Sequence, residues 1–230
     1  MHLTPRPTEG ALIRRANRFL ALVRQGGKVL STHVPNSGRL GELLFPGNPV
    51  LLLLRPTPRR KTAHDLIMAA GPEGWVSIDS RVPNALIAEE LGHGRLGPFR
   101  AYRELLREAP LEGGRVDFQL LGEGRPSCLI EVKSVTLVVE GVARFPDART
   151  ERGARHLRAL AEGVSAGLRG AIIFVIQRPD ACAFSPNDAA DPDFGQALRA
   201  AARRGVEVYA RTCRVSPQRI TLDQEVPVRL

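Results

Sequence analysis

The hexapeptide at residues 171–176, Ala-Ile-Ile-Phe-Val-Ile, is apolar at every position and rich in β-branched side chains. A strand with one face in water alternates polar and apolar residues; this run does not. It has the pattern of a strand covered on both faces, the middle of a sheet flanked by helices. The neighbouring sequence supplies the rest of such a domain. A helix is expected over residues 150–162, capped by Thr150 or Asp147 and stopped by Gly163. Asp191-Pro192 opens another helix that Gly205 closes, and residues 206–215 read as a last long strand. Upstream, residues 116–121 and 128–139 read as strands joined by a polar turn, and residues 83–91 and 99–107 as helices. The whole is an α/β domain with a mixed sheet.

The first third has a different rhythm. Residues 19–24 and 29–34 read as strands around the turn Gln25-Gly26-Gly27-Lys28. Asn36-Ser37-Gly38 is a loop, and Pro46-Gly47-Asn48 turns the chain into a strand over residues 50–54. Two further strands flank Gly71-Pro72-Glu73-Gly74. Short strands at this spacing predict a small barrel or sandwich. The boundary between the two parts falls near residue 80, giving domains of 1–80 and 81–230.

Charge separates the same two parts. Residues 1–75 carry 11 Lys and Arg against 4 Asp and Glu, a net of +7 out of the +9 of the whole chain. A basic unit beside a near-neutral one fits a polyanion such as nucleic acid as partner, and equally a solubility device or the arginine preference of a GC-rich genome. Arginine is the default cation, with Lys28, Lys61 and Lys133 the only lysines. The longest aliphatic run, residues 50–54, is far too short to cross a bilayer, and the first ten residues lack the apolar core of a signal peptide. Cys128, Cys182 and Cys213 are scattered, odd in number and without CxxC spacing, which fits a reduced cytoplasmic chain without structural zinc.

One constellation carries chemistry. In Ile130-Glu131-Val132-Lys133-Ser134 a period of two puts Glu131 and Lys133 on one face. The preceding strand, Val116-Asp117-Phe118-Gln119, alternates too, so a hairpin brings Asp117 beside Glu131 with Lys133 next along. Two carboxylates at one sheet edge are hard oxygen donors suited to Mg²⁺, and a neighbouring lysine suits a phosphodiester whose charge is growing. An isolated Glu-x-Lys is common on solvated strands. The acid on the preceding strand and the long α/β continuation raise this one above that background.

The sequence also resembles the sugar fermentation stimulation protein family, nearly end to end. The likeness is carried by RFLALV, HVPNSGRL, Arg59-Arg60-Lys61, RVDF, CLIEVKSVTL, FPDARTERGARHL, FVIQR and RGVEVYARTCRVS. The resemblance implies an OB-like β-barrel fused to a PD-(D/E)xK nuclease-like domain, DNA binding without strong sequence preference, and a regulatory role in sugar use, maltose especially. It makes Asp117 the motif aspartate, Glu131 and Lys133 the Glu-x-Lys pair, and Gln177 a supporting glutamine on the strand after the helix. It also implies an acid from the preceding helix as a further ligand, Glu89 or Glu90, and Mg²⁺ or Mn²⁺ as the ion. The chain departs from the family's pattern at Thr62-Ala63-His64-Asp65, which lacks the usual aromatic pair, and at Ser80-Arg81-Val82-Pro83-Asn84.

Phosphate contacts are expected from Arg39, from Arg59, Arg60 and Lys61, and from a basic face of Arg149, Arg152, Arg155 and His156 on the helix after the Glu-x-Lys strand. Leu157 and Leu160 mark that helix's buried side. Trp75 reads as a core or hairpin residue. With 5% aromatic residues, a stacking-rich single-strand site is not expected. Three functions stay open at this point: a DNA-binding regulator, a Mg²⁺-dependent structure-specific nuclease, and a scaffold with an idle site. The oligomeric state is open as well.

Overall fold

The computed structural model describes residues 1–55, 61–111 and 114–230. Six strands come first: β1 (Thr8–Asn17), β2 (Leu20–Gln25), β3 (Lys28–His33), β4 (Pro49–Leu54), β5 (His64–Gly71) and β6 (Gly74–Ser77). They run in the order β3-β2-β1-β4-β5-β6, and β3 also pairs with β5 in parallel, which closes five strands into an OB-type barrel. Leu12, Ala21, Val23, Val50, Leu52 and Leu66 fill its interior. Strand β1 was not expected from the sequence. Arg14-Arg15 interrupts its apolar alternation, and two register shifts bend it so that it serves β2 at one end and β4 at the other.

The second part begins with α1 (Val82–Gly92), followed by β7 (Glu104–Leu111), β8 (Gly114–Leu121), β9 (Cys128–Val135), β10 (Val138–Val139), β11 (Val142–Phe145), α2 (Glu151–Ser165), β12 (Arg169–Ile176), β13 (Ala183–Pro186), α3 (Pro192–Arg203), β14 (Glu207–Val215) and β15 (Ile220–Glu225). The large sheet has the order β15-β14-β12-β9-β8-β7. Its middle strands β9, β12 and β14 are parallel, and both edges are antiparallel.

Strand β12 divides its side chains between two cores. Ile172, Phe174 and Ile176 pack with α2 and α3, while Ala171, Ile173 and Val175 pack on the opposite face. That opposite core also takes Leu86 and Ile87 from α1 and Leu51, Leu53, Ile67 and Met68 from the barrel. The barrel therefore covers one face of the sheet, and removing it would expose this apolar surface to water.

The structure corrects the sequence-based expectation at several points. The strand expected over 128–139 is two, β9 in the large sheet and β10 in a separate three-stranded sheet with β11 and β13. Residues 99–107 are not a helix: a single 3-10 turn at Gly97–Phe99 leads into the edge strand β7. Pairing with β8 overrides the local pattern, since residues 104–107 lie opposite residues 118–121, and Pro110 further along is tolerated in an edge strand. Strand β15 pairs antiparallel with β14 and was not expected, because the alternation of Ile220-Thr221-Leu222-Asp223 is short and gives way to the polar Gln224-Glu225. Helix α2 runs through Gly163 to Ser165; a Cβ at Gly163 would meet Leu129 Cδ1 at 3.2 Å, so that glycine serves close helix–sheet packing rather than a stop. Thr150 is the N-cap of α2, accepting from Gly153 N at 3.1 Å, and Asp191 caps α3 through Phe194 N at 3.1 Å.

Candidate metal and nucleic-acid site

The hairpin of β8 and β9 ends its ladder at Phe118 and Ile130. One residue further, Asp117 comes level with Glu131, and a side chain replaces the backbone pairing. Asp117 Oδ2 accepts the Val132 N–H at 2.7 Å, and Oδ1 accepts from Asn84 Nδ2 of α1 at 2.7 Å. The carboxylate is thus fixed from two elements.

Glu131 is 3% exposed. Its Oε1 accepts from Lys133 Nζ at 2.5 Å and from His156 Nδ1 of α2 at 2.6 Å. Arg152 Nε donates to His156 Nε2 at 3.3 Å. An Nε2 that accepts leaves the ring proton on Nδ1, facing Glu131.

Burial pushes the pKa of both acids up, but their net shifts are opposite. Burial raises the Asp117 pKa and the charge of Glu131 adds to the rise; the Val132 N–H, Asn84 and Lys133 offset only part of it. Burial also pushes Glu131 up, but the hydrogen bond from His156 and the charge and hydrogen bond of Lys133 outweigh it, so its pKa is lowered. Glu131 is held ionised, while Asp117 keeps its proton more tightly than a free aspartate. A cation beside both would reverse the second shift. The pair offers oxygen donors alone, which fits Mg²⁺, an ion commonly held by one or two carboxylates and several waters. Among the described residues no group of three or more His, Cys, Asp or Glu is arranged to hold a metal.

The remaining expected residues divide. Glu90 is engaged by Arg95, with contacts of 2.9 and 2.7 Å, and Glu89 meets the N-terminal ammonium at 3.1 Å. Helical geometry explains why neither joins Asp117. Asn84 already reaches it, and a residue five or six positions on points roughly 140° or 240° away and lies about 8–9 Å further along the axis. The acid of α1 expected as a ligand is replaced at this spot by Asn84. His156 is not part of the exposed basic face; it is buried, in line with Leu160 one turn on. Arg149, Arg152 and Arg155 are exposed.

Gln177 is fully buried and bonds two hydroxyls, accepting from Ser77 Oγ of β6 at 2.7 Å and donating to Ser134 Oγ of β9 at 2.9 Å. It ties the barrel to the sheet. Asp147, one candidate cap for α2, instead accepts from the backbone N–H of Arg39 at 2.6 Å and of Leu40 at 3.4 Å. A Cβ at Gly38 would meet Asp147 Oδ2 at 2.5 Å, so this contact requires glycine there. Arg39 and Lys61 are exposed, whereas Arg59 and Arg60 lie outside the described residues. Between the 36–38 loop and residues 134–150 opens a cleft of about 290 Å³, lined in part by Arg18, Arg144 and Arg149.

Comparison with known proteins agrees with this architecture. Residues 13–78 match the SfsA N-terminal OB domain, and residues 81–219 match the sugar fermentation stimulation protein RE domain. The chain belongs to the sugar fermentation stimulation protein family. A homolog from Desulforamulus reducens is 46% identical over 98% of this chain and 94% of its own. One from Moorella thermoacetica is 44% identical over 96% of each chain. The structure of Pyrococcus furiosus SfsA in complex with Ca²⁺ superposes with a TM-score of 0.91 at 26% identity, covering 100% of this chain and 98% of that one. Among the described residues no helix is long and apolar enough to cross a membrane.

The family's motif segments account for most of the site. Sequence reasoning missed two members. The His156 bond to Glu131 was legible in the four-residue step from His156 to Leu160, which puts the imidazole on the core side of α2. The Asn84 bond to Asp117 had no local signal, since it joins residues 33 apart.

Proposed function

We propose that this protein binds DNA through phosphates with little sequence preference, and that Asp117 and Glu131 hold a divalent cation, Mg²⁺ or Mn²⁺, at the binding surface. In this reading residues 1–80 are a basic DNA-gripping barrel and residues 81–230 carry the metal. The observation that carries it is the half-buried Asp117 level with the buried Glu131, to which Lys133 is bonded, beside the N-terminal end of α2, where Arg149, Arg152 and Arg155 are exposed. The Ca²⁺ complex of the Pyrococcus furiosus relative supports a divalent ion in this fold. When bound, the cation supplies Lewis-acid and water-activating chemistry. The chain's own part is to keep Glu131 ionised through Lys133 and His156 and to hold Asp117 through Val132 and Asn84. Arginines at the rim bind phosphate. The protein would work in the cytoplasm, and a part in regulating sugar use would act through DNA binding.

The presence of Lys133 on the acid pair favours a second reading, a metal-dependent nuclease acting on a particular DNA structure. One set of experiments tests both. Gel shifts of unrelated duplexes in EDTA should show salt-sensitive binding of similar affinity; absence of binding at low salt sinks the first reading. Incubation of plasmid, branched and single-stranded DNA with Mg²⁺ or Mn²⁺ decides the second, and no cleavage of any of them, by an amount of protein that binds all three, excludes it.

A further inference from the structure

The turn between β1 and β2 presents an aromatic ring where a barrel interior has no use for it. Phe19 is 49% exposed. Its backbone is nonetheless fixed: its N–H donates to Asn17 Oδ1 at 2.9 Å, and its carbonyl accepts from Val34 N at 2.9 Å and His33 Nδ1 at 3.2 Å. The His33 ring lies nearly parallel to it, with planes 26° apart and centroids 6.3 Å apart. These two rings, with Lys61, Thr62 and Arg81, line a concave site of about 460 Å³ on the barrel. Arg81 is committed to Asp65 and Asp79, at 2.8 and 2.6 Å, so its guanidinium forms a fixed wall. Lys61 is exposed.

The neighbouring residues face elsewhere. Arg18 and Ser80, next in sequence to Phe19 and Arg81, line the cleft that also holds Ser134, the residue after Lys133 on β9. The Arg18–Phe19 and Ser80–Arg81 pairs thus separate a stacking site on the barrel from a basic cleft beside the Glu-x-Lys strand.

We infer that the Phe19–His33 site takes one unpaired base of a nucleic acid whose backbone continues past Arg18 into the cleft. A free aromatic face with a cation beside it binds a nucleobase and its phosphate, with little discrimination among bases. A base inside an intact duplex has no free face to offer, so the substrate class is DNA with an unpaired stretch: a single strand, a flap or a frayed end. The inference rests on the DNA-binding reading above and narrows it.

Fluorescence anisotropy of the full chain in EDTA, with a labelled oligothymidylate and a blunt duplex as separate probes, tests it. Phe19→Leu keeps an apolar side chain and removes the ring; Phe19→Tyr keeps the ring. Single-strand affinity should fall roughly five- to a hundredfold in F19L, the range that stacking of one base on one ring supplies. It should return in F19Y, with duplex affinity unchanged in both. A 2-aminopurine base in the oligomer should lose fluorescence on binding the wild type but not F19L. Equal single-strand affinity of F19L and wild type overturns the inference and leaves the DNA-binding reading standing. So does a fall on both probes alike, which would make Phe19 a structural residue of the barrel. Failure of the wild type to bind either probe overturns both readings together.

Discussion

His156 Nδ1 lies 2.6 Å from Glu131 Oε1, and the imidazole that makes this bond is buried beneath α2. The bond joins the helix after the Glu-x-Lys strand to the strand itself. It places a donor behind the acid, with Arg152 behind the donor. Partners of this kind orient a ligating carboxylate and set its basicity.

His156→Ala should therefore weaken Mg²⁺ or Ca²⁺ binding about 10- to 100-fold, the usual loss for a supporting residue of a metal site. DNA affinity in EDTA should stay within about twofold, since the ring does not reach the exposed basic face. Calorimetric metal titration and a gel shift on the same preparation check this. A large loss of DNA binding with metal affinity intact would return His156 to the basic face.

Metal addition should stabilise the folded chain by mass action. At a free ion concentration near 100 times Kd the gain is about 2.7 kcal/mol, which for a chain of this size is roughly 5–10 °C in Tm. Asp117→Ala and Glu131→Ala should each abolish the metal-dependent rise. Because burial and the charge of Glu131 raise the Asp117 pKa, metal binding at a pH close to that raised value should also release a proton, visible as a buffer-dependent binding enthalpy. An undiminished rise in both variants would move the metal elsewhere.

Much of this was legible in the sequence, and the misses have physical causes. Residues 171–176 announced a doubly covered strand, and β12 is one. The Asp117, Glu131 and Lys133 arrangement followed from period-two alternation in two adjacent strands. The Asn84 and Gln177 bonds did not, because each links elements far apart in the chain, and no local pattern records such pairings. The aromatic content argued against a stacking site, yet composition counts rings without saying which are exposed. Phe19 is exposed because its position in the turn, not its residue type, directs it outward.

In EDTA the two acids should give stability opposite pH dependences. Glu131 has a lowered folded pKa, so the stability it contributes is present above its unfolded value near 4.5 and is lost as pH falls through the folded one. Asp117 has a raised folded pKa, so its penalty is complete above that value and is relieved as pH falls towards its unfolded range. Glu131→Gln should destabilise the fold at neutral pH by about 1.5–3 kcal/mol, the worth of a hydrogen bond to a charged group, and the deficit should shrink in acid. Melting curves across the pH range check this, and a deficit that grows on acidification contradicts the assignment.

Arg152→Ala and Arg155→Ala should weaken DNA binding uniformly across unrelated sequences. Removing one phosphate-binding arginine should reduce the slope of log affinity against log salt by about one. Arg152→Ala should also loosen His156 and lower metal affinity, whereas Arg155→Ala should not. Identical metal affinities in the two variants would break the proposed relay from Arg152 through His156 to Glu131.

Gln177 separates two roles that its neighbourhood allows. The resemblance to nuclease folds makes it a supporting residue of the metal site, but its side chain bonds Ser77 of the barrel and Ser134 of the sheet. Gln177→Ala would leave the buried Ser77 hydroxyl without its partner, at a cost of about 1–3 kcal/mol, while the half-buried Ser134 hydroxyl, which lines the cleft, can turn to water. A structural tie thus predicts a fall in Tm of roughly 2–12 °C and faster proteolysis at the barrel–sheet seam. The metal-dependent rise in Tm should persist in full. A supporting residue of the metal site predicts the reverse: a modest change in apo Tm and loss of most of the rise. Thermal melts of wild type and Gln177→Ala, with and without Mg²⁺, decide between them. The bonds favour the tie, since among the described residues both polar atoms of the amide are directed to serines and neither to Asp117, Glu131 or Lys133.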